Sequence, residues 1–152
     1  MGSKSDLSFA ERIRGFLKEE GFSLNCEFAV SSAHRTPEYL LEKLKKYEES
    51  GDNVVYITVA GLSDALSGVV AGSSTRPVIA CPPDIDKFGW AKAFSSFMTP
   101  KGVPVLLASG PENAALAAVR ILSLTVPQFR EELKIYMRKR REEVLSSDRT
   151  VS

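Results

Sequence analysis

The sequence predicts an α/β fold, a three-layer sandwich with a central parallel sheet. Short apolar stretches rich in β-branched residues alternate with amphipathic helical stretches, and this alternation is typical of right-handed βαβ units. Residues 54–60 are nearly all apolar, as expected of a strand covered on both faces. The chain has 152 residues, which favours one compact domain over residues 1–152.

The first half of the chain predicts two helices with one strand between them. Apolar residues at helical spacing predict a helix over residues 7–20. Alternating apolar residues predict a strand over residues 24–30. Thr36 and Pro37 supply a hydroxyl cap and a proline for the first turn, so a second helix begins there and ends at Gly51.

The second half predicts three more strands, each followed by a helix. The strands are expected at residues 54–60, 77–81 and 103–108. The helices after them are expected to end near residue 72, to cover residues 88–97 and to end near residue 123. A long amphipathic helix is expected from about Pro127, with a frayed tail over residues 146–152.

Composition narrows the class of protein. With 20 basic and 19 acidic residues the formal charge is +1, which gives no global reason to expect nucleic acid or membrane as a partner. No apolar run approaches 18 residues and no signal peptide is visible, so a cytoplasmic protein is expected. Cys26 and Cys81 lie in apolar stretches and are expected to be free thiols, and a zinc site is not expected with only one histidine.

The first candidate binding loop precedes the first helix. It contains Gly2, Ser3, Ser5 and Asp6, and it supplies hydroxyl groups and helix N–H donors that suit a phosphate. Asp6 is placed to accept hydrogen bonds from sugar hydroxyls. The alternative interpretation is plain N-capping of the helix by Ser5 or Asp6.

The second candidate loop carries the only histidine of the chain. His34 lies between the predicted strand and the second helix, close to Ser32 and next to Arg35. An imidazole titrates near pH ~6.5, so it can give and take a proton at neutral pH, and a guanidinium can hold a phosphate. The alternative is a histidine that only packs or lies on the surface.

The third candidate loop follows the strand at residues 54–60. Its glycines and serines let the backbone approach a flat ring closely, although a tight helix cap is the simpler alternative. Because ligands bind beyond the carboxyl ends of parallel strands, the polar loops after residues 30, 60 and 108 are expected to gather at one edge.

The last helix has two interpretations as well. The basic run of residues 138–141 is flanked by glutamates, so it predicts a solvated helix face, with nucleic-acid binding as the less favoured alternative. Its apolar positions are expected to pack within the chain or on another subunit; they are Phe129, Leu133, Tyr136, Met137 and Val144.

Together these motifs resemble the PurE family of purine biosynthesis. The resemblance rests on Met-Gly-Ser-x-Ser-Asp at the start, Ser-Ala-His-Arg-Thr-Pro after the strand at residues 24–30, and Ala-Gly after the strand at residues 54–60. It implies a flavodoxin-like or Rossmann-like sheet with a long C-terminal helix, a homo-octamer and no cofactor or metal. It also implies a strand directly before the Met-Gly-Ser loop, which is missing here or lies upstream of Met1.

The resemblance points to the class II branch, which carboxylates aminoimidazole ribonucleotide directly with carbon dioxide. The other branch is a mutase that moves a carboxylate from N5 to the ring carbon, and it typically has His-Leu-Pro-Gly in the third loop. Here that stretch is Ala-Leu-Ser-Gly, residues 65–68. Arg35 and Asp64 stand where class II members often have lysine and asparagine. A mutase, or an inactive module that binds a phosphorylated metabolite, remains the alternative.

The resemblance also implies roles for individual residues. His34 would move the proton at ring carbon C4. The phosphate and ribose would be held by the first two loops; these residues are Gly2, Ser3, Ser5, Asp6, Ser32 and Arg35. The ring and the carboxylate would be lined by the third loop; these residues are Ala60, Gly61, Ser63, Asp64, Leu66, Ser67 and Gly68.

Overall fold

Three parallel strands with helices on both faces form the core of the protein, which confirms the predicted fold class. The computed structural model describes residues 1–151, without the side chain of residue 151. The first half consists of a 3-10 turn Lys4–Asp6, α1 Leu7–Glu19, α2 Pro37–Glu49, β1 Tyr56–Thr58 and α3 Ala65–Gly72. The second half consists of β2 Val78–Ala80, α4 Ile85–Phe88, α5 Ala91–Phe97, β3 Leu106–Leu107, α6 Pro111–Leu122 and α7 Pro127–Val151.

The strands pair in the order β1-β2-β3, and all pairs are parallel. Tyr56 lies opposite Val78, and Ile79 lies opposite Leu106. Parallel neighbours need a crossover, and here α3 connects β1 to β2 while α4 and α5 connect β2 to β3. The carboxyl ends of all three strands therefore lie at one edge of the sheet.

Alternate residues of the strands pack on opposite faces of the sheet. Ile57 and Val59 pack with α1, α6 and the start of α7. Tyr56, Ala60 and Val78 pack with α2 and α3 on the other face. This period of two explains why the stretch around β1 reads as continuously apolar, since neither face of a doubly covered sheet meets water.

The predicted strand at residues 24–30 is the main error in the fold prediction. Residues 22–32 contain no helix, turn or bend, yet they form no ladder with another strand. A cavity of about 640 Å³ separates them from residues 54–59, so the nearest strand is out of hydrogen-bonding reach. Alternation in the sequence identified a strand-like segment, but pairing needs a neighbour.

The other elements follow the prediction, with shorter strands and two local differences. The helix expected at residues 88–97 begins only at Ala91, and Gly89, whose φ is 65°, separates it from α4 at Ile85–Phe88. Residues 146–151, expected to fray, continue α7, and residue 152 lies outside the described residues. Between residues 1 and 151, no helix combines the length and apolar character needed to span a membrane.

Candidate active site

The first two residues tie three candidate loops together at the carboxyl edge of the sheet. The Gly2 amide donates to the carbonyl of Val59 at 3.0 Å, and the Ser31 amide donates to the carbonyl of Met1 at 3.0 Å. A Cβ on Gly2 would lie 3.8 Å from the Cβ of Ala60. The loops after residues 30 and 60 therefore meet at one edge, as expected, and the first loop joins them there.

The first loop forms a capping box at the start of the first helical turn. The Asp6 carboxylate accepts from the Ser3 amide at 3.2 Å, and the Ser3 hydroxyl accepts from the Ser5 amide at 3.3 Å. The Ser5 hydroxyl donates to the Ser3 hydroxyl at 2.9 Å and stays exposed. Ser3 is thus the cap of the 3-10 turn, while Asp6 stands at the N-cap of α1, one of the two positions that the sequence suggested, without a side-chain cap bond to that helix. The Ser3 and Ser5 hydroxyls remain within reach of a ligand.

Asp6 lies in a small cluster of charged groups. Burial raises the pKa of its carboxyl group, and the negative charge of Asp84 acts in the same direction. The Ser3 amide, the Met1 amino group and the Lys92 ammonium oppose that shift. Two carboxyl groups and two amino groups thus lie close together at this edge of the sheet.

The second loop presents the side chains of His34 and Arg35 to solvent. Both side chains are exposed, and neither forms a hydrogen bond or ion pair within the described residues. Their backbone is nevertheless fixed, because the Ser32 hydroxyl accepts from the Arg35 amide at 3.2 Å and the Ser32 carbonyl accepts from the Thr36 amide at 2.9 Å. The loop therefore holds a free imidazole and a free guanidinium on a rigid base before α2.

The third loop is locked by a buried hydrogen-bond network. The Ser67 hydroxyl donates to Asp64 Oδ2 at 2.6 Å and lies 2.7 Å from the Thr58 hydroxyl. The Asp64 carboxylate also accepts from the Ser67 amide at 3.0 Å as an N-cap, and the Asp64 amide donates to the Ser95 hydroxyl at 2.8 Å. This network joins β1, α3 and α5 and fixes the shape of the loop.

Three residues that the resemblance places at the ring and the carboxylate have side chains buried within the protein. Ser67 is fully buried. The polar side-chain atoms of Asp64 and Ser67 are hydrogen-bonded within the network above, so neither residue offers a free polar group. Leu66 is buried among Leu40, Leu44, Val70 and Val78 in the core under α2 and α3. The interpretation of this stretch as a helix cap with close packing holds for these three positions.

The remaining positions of the third loop keep access to the edge. Gly61 is half-buried and Ser63 is exposed, while Ala60 is buried beside Gly2. Gly68 is half-buried on α3, where a Cβ would lie 3.5 Å from the Thr99 methyl group. The backbone at residues 60–63 and the Ser63 hydroxyl are the parts of this loop that a ligand can reach.

Asp84 and Lys92 join the site although the sequence analysis missed them. Asp84 Oδ2 accepts from the Leu62 amide at 2.8 Å, and its Oδ1 is buried without a partner. A Cβ on Gly61 would lie 3.2 Å from that same Oδ2, so a larger residue there would require the carboxylate to shift by a few tenths of an ångström. Lys92 is 4% exposed, and its Nζ has no hydrogen-bond partner among residues 1–151.

A signal for Asp84 was present in the sequence. The rule that ligand sites lie beyond the carboxyl ends of parallel strands applies to β2 as much as to β1, and Asp84 follows β2 directly after two prolines. After β3, Glu112 in the first turn of α6 forms an ion pair of 2.9 Å with Arg12 on α1.

The cysteines offer no obvious chemistry. Both are free thiols, as expected, and Cys81 is fully buried while Cys26 is partly buried. Burial raises the pKa of the Cys81 thiol to about 12, with the nearby Glu112 charge adding to the effect. No group of three or more histidine, cysteine, aspartate or glutamate side chains in residues 1–151 is placed to hold a metal ion.

The basic run on α7 is partly used within the chain. Lys139 pairs with Glu20 at 2.9 Å, and Arg140 pairs with both Glu20 and Glu143. Of the apolar positions on this helix, Phe129, Leu133 and Tyr136 pack into the core of the same chain. Met137 and Val144 are exposed.

Comparison with protein families gives one match that spans most of the chain. The family described as AIR carboxylase matches residues 1–143. The match covers every loop described above and all three strands.

Curated relatives share about two fifths of the residues. A phosphoribosylaminoimidazole carboxylase of Archaeoglobus fulgidus is 43% identical over 148 residues, which are 97% of this chain and 80% of that protein. A phosphoribosylaminoimidazole carboxylase of Treponema denticola is 40% identical over 97% of this chain and 92% of that protein. An N5-carboxyaminoimidazole ribonucleotide mutase of Methanocaldococcus jannaschii is 41% identical over 99% of this chain and 94% of that protein.

A solved structure shares the fold. The crystal structure of Treponema denticola PurE superposes with a TM-score of 0.91 at 40% sequence identity, and the match covers 100% of this chain and 95% of that one.

Proposed function

Because the chain belongs to the AIR carboxylase (PurE) family, whose enzymes act on aminoimidazole ribonucleotide in purine biosynthesis, we propose that it carboxylates this nucleotide directly with carbon dioxide. The observation that carries the proposal is the meeting of three loops at the carboxyl edge of the sheet, tied by the bonds of Met1 and Gly2 to Ser31 and Val59. Loops of this composition supply the donors for a phosphate, the acceptor for a sugar and one acid–base group.

The nucleotide's phosphate and ribose bind the first two loops. The Ser3 and Ser5 hydroxyls and the exposed Arg35 guanidinium are the donors, with Ser32 fixing the Arg35 backbone. Asp6 accepts from the ribose hydroxyls. The free guanidinium suits this role because no carboxylate of the described residues competes for it.

His34 takes the proton that carboxylation releases. The aminoimidazole ring is an enamine, so its C4 carbon attacks carbon dioxide and a C–C bond forms while one C=O π bond becomes the carboxylate. The C4–H bond then breaks, its electrons restore the aromatic ring, and the proton passes to the His34 imidazole. Positioning of carbon dioxide over C4 and one acid–base group supply the rate enhancement.

The third loop lines the ring and the new carboxylate. Its reachable donors are the backbone at residues 60–63 and the Ser63 hydroxyl, and such fixed donors stabilise charge that develops on oxygen. Asp64 and Ser67 hold the loop from behind rather than touching substrate. Leu66 and Gly68 act through packing.

A homo-oligomer, an octamer by family resemblance, completes the proposal. A group of large apolar side chains lies exposed beside the site on the loop after β1 and on α4 and α5; they are Leu62, Phe88, Trp90, Phe94, Phe97 and Met98. Exposed apolar groups of this size mark protein interfaces, and burial there would exclude water next to the site. Light scattering of the purified protein measures the assembly directly.

The second candidate is the mutase, which transfers the carboxylate from N5-carboxyaminoimidazole ribonucleotide to C4. The relative from Methanocaldococcus jannaschii carries that name at 41% identity. Against it stands Ala65, which occupies the position where the mutase branch typically has a histidine.

One assay separates the candidates. The purified protein receives aminoimidazole ribonucleotide and bicarbonate without ATP, and the ultraviolet absorbance of the carboxylated ring is followed. Product formation supports the carboxylase. Turnover of the N5-carboxy compound alone identifies a mutase, and a ligand-induced thermal shift without turnover of either compound identifies an inactive binding module.

A further inference from the structure

Helix α5 buries its lysine and exposes its large apolar side chains. Lys92 is 4% exposed, whereas Phe94 and Phe97 are 51% and 41% exposed. Burial of a charged group without a partner costs free energy, and burial of a phenylalanine gains it, so this orientation is the opposite of the one that packing favours. The inward position of Lys92 therefore calls for a reason other than packing.

The Lys92 ammonium lies near the first candidate loop without pairing there. Burial raises the pKa of the Asp6 carboxyl group, and the positive charge of Lys92 opposes this shift, so the two groups are within electrostatic reach of each other. Lys92 Nζ nevertheless forms no hydrogen bond and no ion pair within residues 1–151. An ammonium group has three N–H donors, and all three are therefore unused.

Asp84 brings an unused acceptor to the same place. Its negative charge also acts on Asp6, so it too lies at this edge of the sheet. Its Oδ2 accepts from the Leu62 amide at 2.8 Å, while its Oδ1 is buried and has no partner among the described residues. Buried polar groups are nearly always hydrogen-bonded, so an unused donor and an unused acceptor at one site point to a ligand that carries an acceptor and a donor.

The ring of the carboxylated nucleotide carries such a pair on adjacent atoms. Its carboxylate at C4 accepts hydrogen bonds, and its amino group at C5 donates them. We propose that Lys92 binds the C4 carboxylate and that Asp84 Oδ1 binds the C5 amino group, so that together they orient the ring. These roles rest on the proposed substrate, but not on the choice between carboxylase and mutase, because both reactions end in this same ring.

A cation is the group that this part of the site otherwise lacks. As carbon dioxide adds to C4, negative charge develops on its two oxygen atoms, and a positive charge nearby stabilises it. Residues 60–68 of the third loop include no lysine, arginine or histidine, so that loop supplies donors but no positive charge. Lys92 supplies the charge from α5.

The test compares three nucleotides that differ only at C4, where they carry a carboxylate, a neutral carboxamide or a hydrogen. Isothermal titration calorimetry gives the Kd of each for the wild type and for Lys92→Met, which keeps an unbranched apolar stem. The wild type is expected to bind the carboxylate about tenfold or more tightly than the carboxamide, since the carboxylate forms a charge-assisted hydrogen bond. In Lys92→Met the two should bind equally, while the affinity for the nucleotide with hydrogen at C4 stays within about threefold of wild type.

Asp84→Asn is expected to give a different pattern. The asparagine carbonyl can keep the bond to the Leu62 amide, but its NH₂ group then meets the C5 amino group as a second donor. All three nucleotides carry that amino group, so all three should bind about tenfold or more weakly. Lys101→Met, at an exposed position in the turn before β3, is the control and should leave every Kd within about twofold of wild type.

Equal binding of the carboxylate and the carboxamide by the wild type would overturn the role of Lys92, and this comparison stands even if Lys92→Met does not fold. An unchanged ratio of the two affinities in Lys92→Met would overturn it as well. Unchanged affinities in Asp84→Asn would overturn the role of Asp84. A wild type that binds none of the three nucleotides would overturn the proposed substrate and these roles with it, so the two kinds of failure are distinct.

Discussion

The second and third loops lie at the same edge of the sheet but treat their polar side chains in opposite ways. In the third loop Asp64 and Ser67 are buried and hydrogen-bonded to each other and to neighbouring elements. In the second loop His34 and Arg35 are exposed and have no partner among the described residues, although their backbone is fixed. Polar side chains thus hold the fold together in one loop and remain free to bind a ligand in the other.

The difference teaches that a functional side chain is marked by hydrogen-bonding groups that are still free for a ligand, and not by its residue type. A buried polar group must be satisfied within the protein, because an unsatisfied one costs about 1–3 kcal/mol. A group already satisfied has little left to offer a ligand. An exposed group on a rigid backbone keeps its full hydrogen-bonding capacity and is held in place at no cost to the fold.

The largest effect is expected for His34→Asn. Asparagine keeps a polar side chain but cannot take a proton from C4, so turnover should fall by roughly 10²- to 10⁴-fold. Since His34 is exposed and unpartnered, the unfolding transition should stay at the wild-type position. Steady-state carboxylation and denaturant unfolding measure the two properties.

Glu38→Gln is the matched control, because Glu38 is exposed in the first turn of the same helix and lies outside the proposed site. It should leave turnover within twofold of wild type. Unchanged turnover in His34→Asn would remove the imidazole from the mechanism. The second loop would then no longer count as the functional one of the two loops.

Arg35→Ala sharpens the same contrast in binding. A hydrogen bond to a charged partner contributes about 1.5–3 kcal/mol, so loss of the phosphate contact should raise KM about 10- to 100-fold. If the contact is equal in ground and transition states, kcat stays constant. Initial rates over a range of nucleotide concentrations give both constants, and a constant KM would place Arg35 outside the site.

Ser67→Ala tests the scaffold half of the comparison. The substitution removes the hydroxyl that joins Asp64 to Thr58 and leaves both without that partner in the core. The free energy of unfolding should fall by about 1–3 kcal/mol. Ser8→Ala, at an exposed position on α1, is the control and should change it by less than ~0.5 kcal/mol.

Activity distinguishes a scaffold role for Ser67 from a binding role. Well below its unfolding temperature, Ser67→Ala should retain wild-type KM to within a few-fold, because its hydroxyl does not face the edge. A rise in KM as large as that of Arg35→Ala, with little loss of stability, would show that Ser67 contacts substrate.

The layered fold could be predicted because it depends on local periodicity. Short apolar runs located β1, β2 and β3, and the period of amphipathic stretches located the helices, since each pattern reflects which faces are buried. The prediction of a strand at residues 24–30 was wrong for a physical reason. A ladder needs two adjacent segments, and a cavity lies between these residues and residues 54–59.

For the site, the sequence predicted which loops meet at the edge of the sheet, but not which of their side chains face it. The rule for parallel sheets predicted that the loops after residues 30, 60 and 108 share one edge. The first two of these do meet there, tied by Met1 and Gly2. The rule could not separate Ser63, which is exposed, from Ser67, which is buried one helical turn later, because sequence does not show which way a side chain points at a helix start. Lys92 was missed because a lysine is rarely buried, and nothing in its neighbours marks it as an exception.

The smallest expected effect concerns Leu62, which lies in the third loop between Gly61 and Ser63. Leu62 has a positive φ of 53° and is 71% exposed, so its side chain gains little packing in return for a left-handed backbone. Its amide is held by Asp84 at 2.8 Å, which fixes this conformation. Leu62→Gly should therefore raise the free energy of unfolding by about 0.5–1 kcal/mol. This is the backbone strain that glycine relieves, minus the entropy that glycine adds to the unfolded chain.

Ser63→Gly is the control for that variant, because Ser63 is a neighbouring exposed residue without a positive φ and glycine there should only destabilise. Denaturant unfolding of both variants measures the difference. If Leu62→Gly is destabilising like Ser63→Gly, the loop carries no strain at Leu62, and the left-handed turn is held by Asp84 at no cost. If it is stabilising, the protein retains a strained leucine at the mouth of the site, where strain is kept for function rather than for folding.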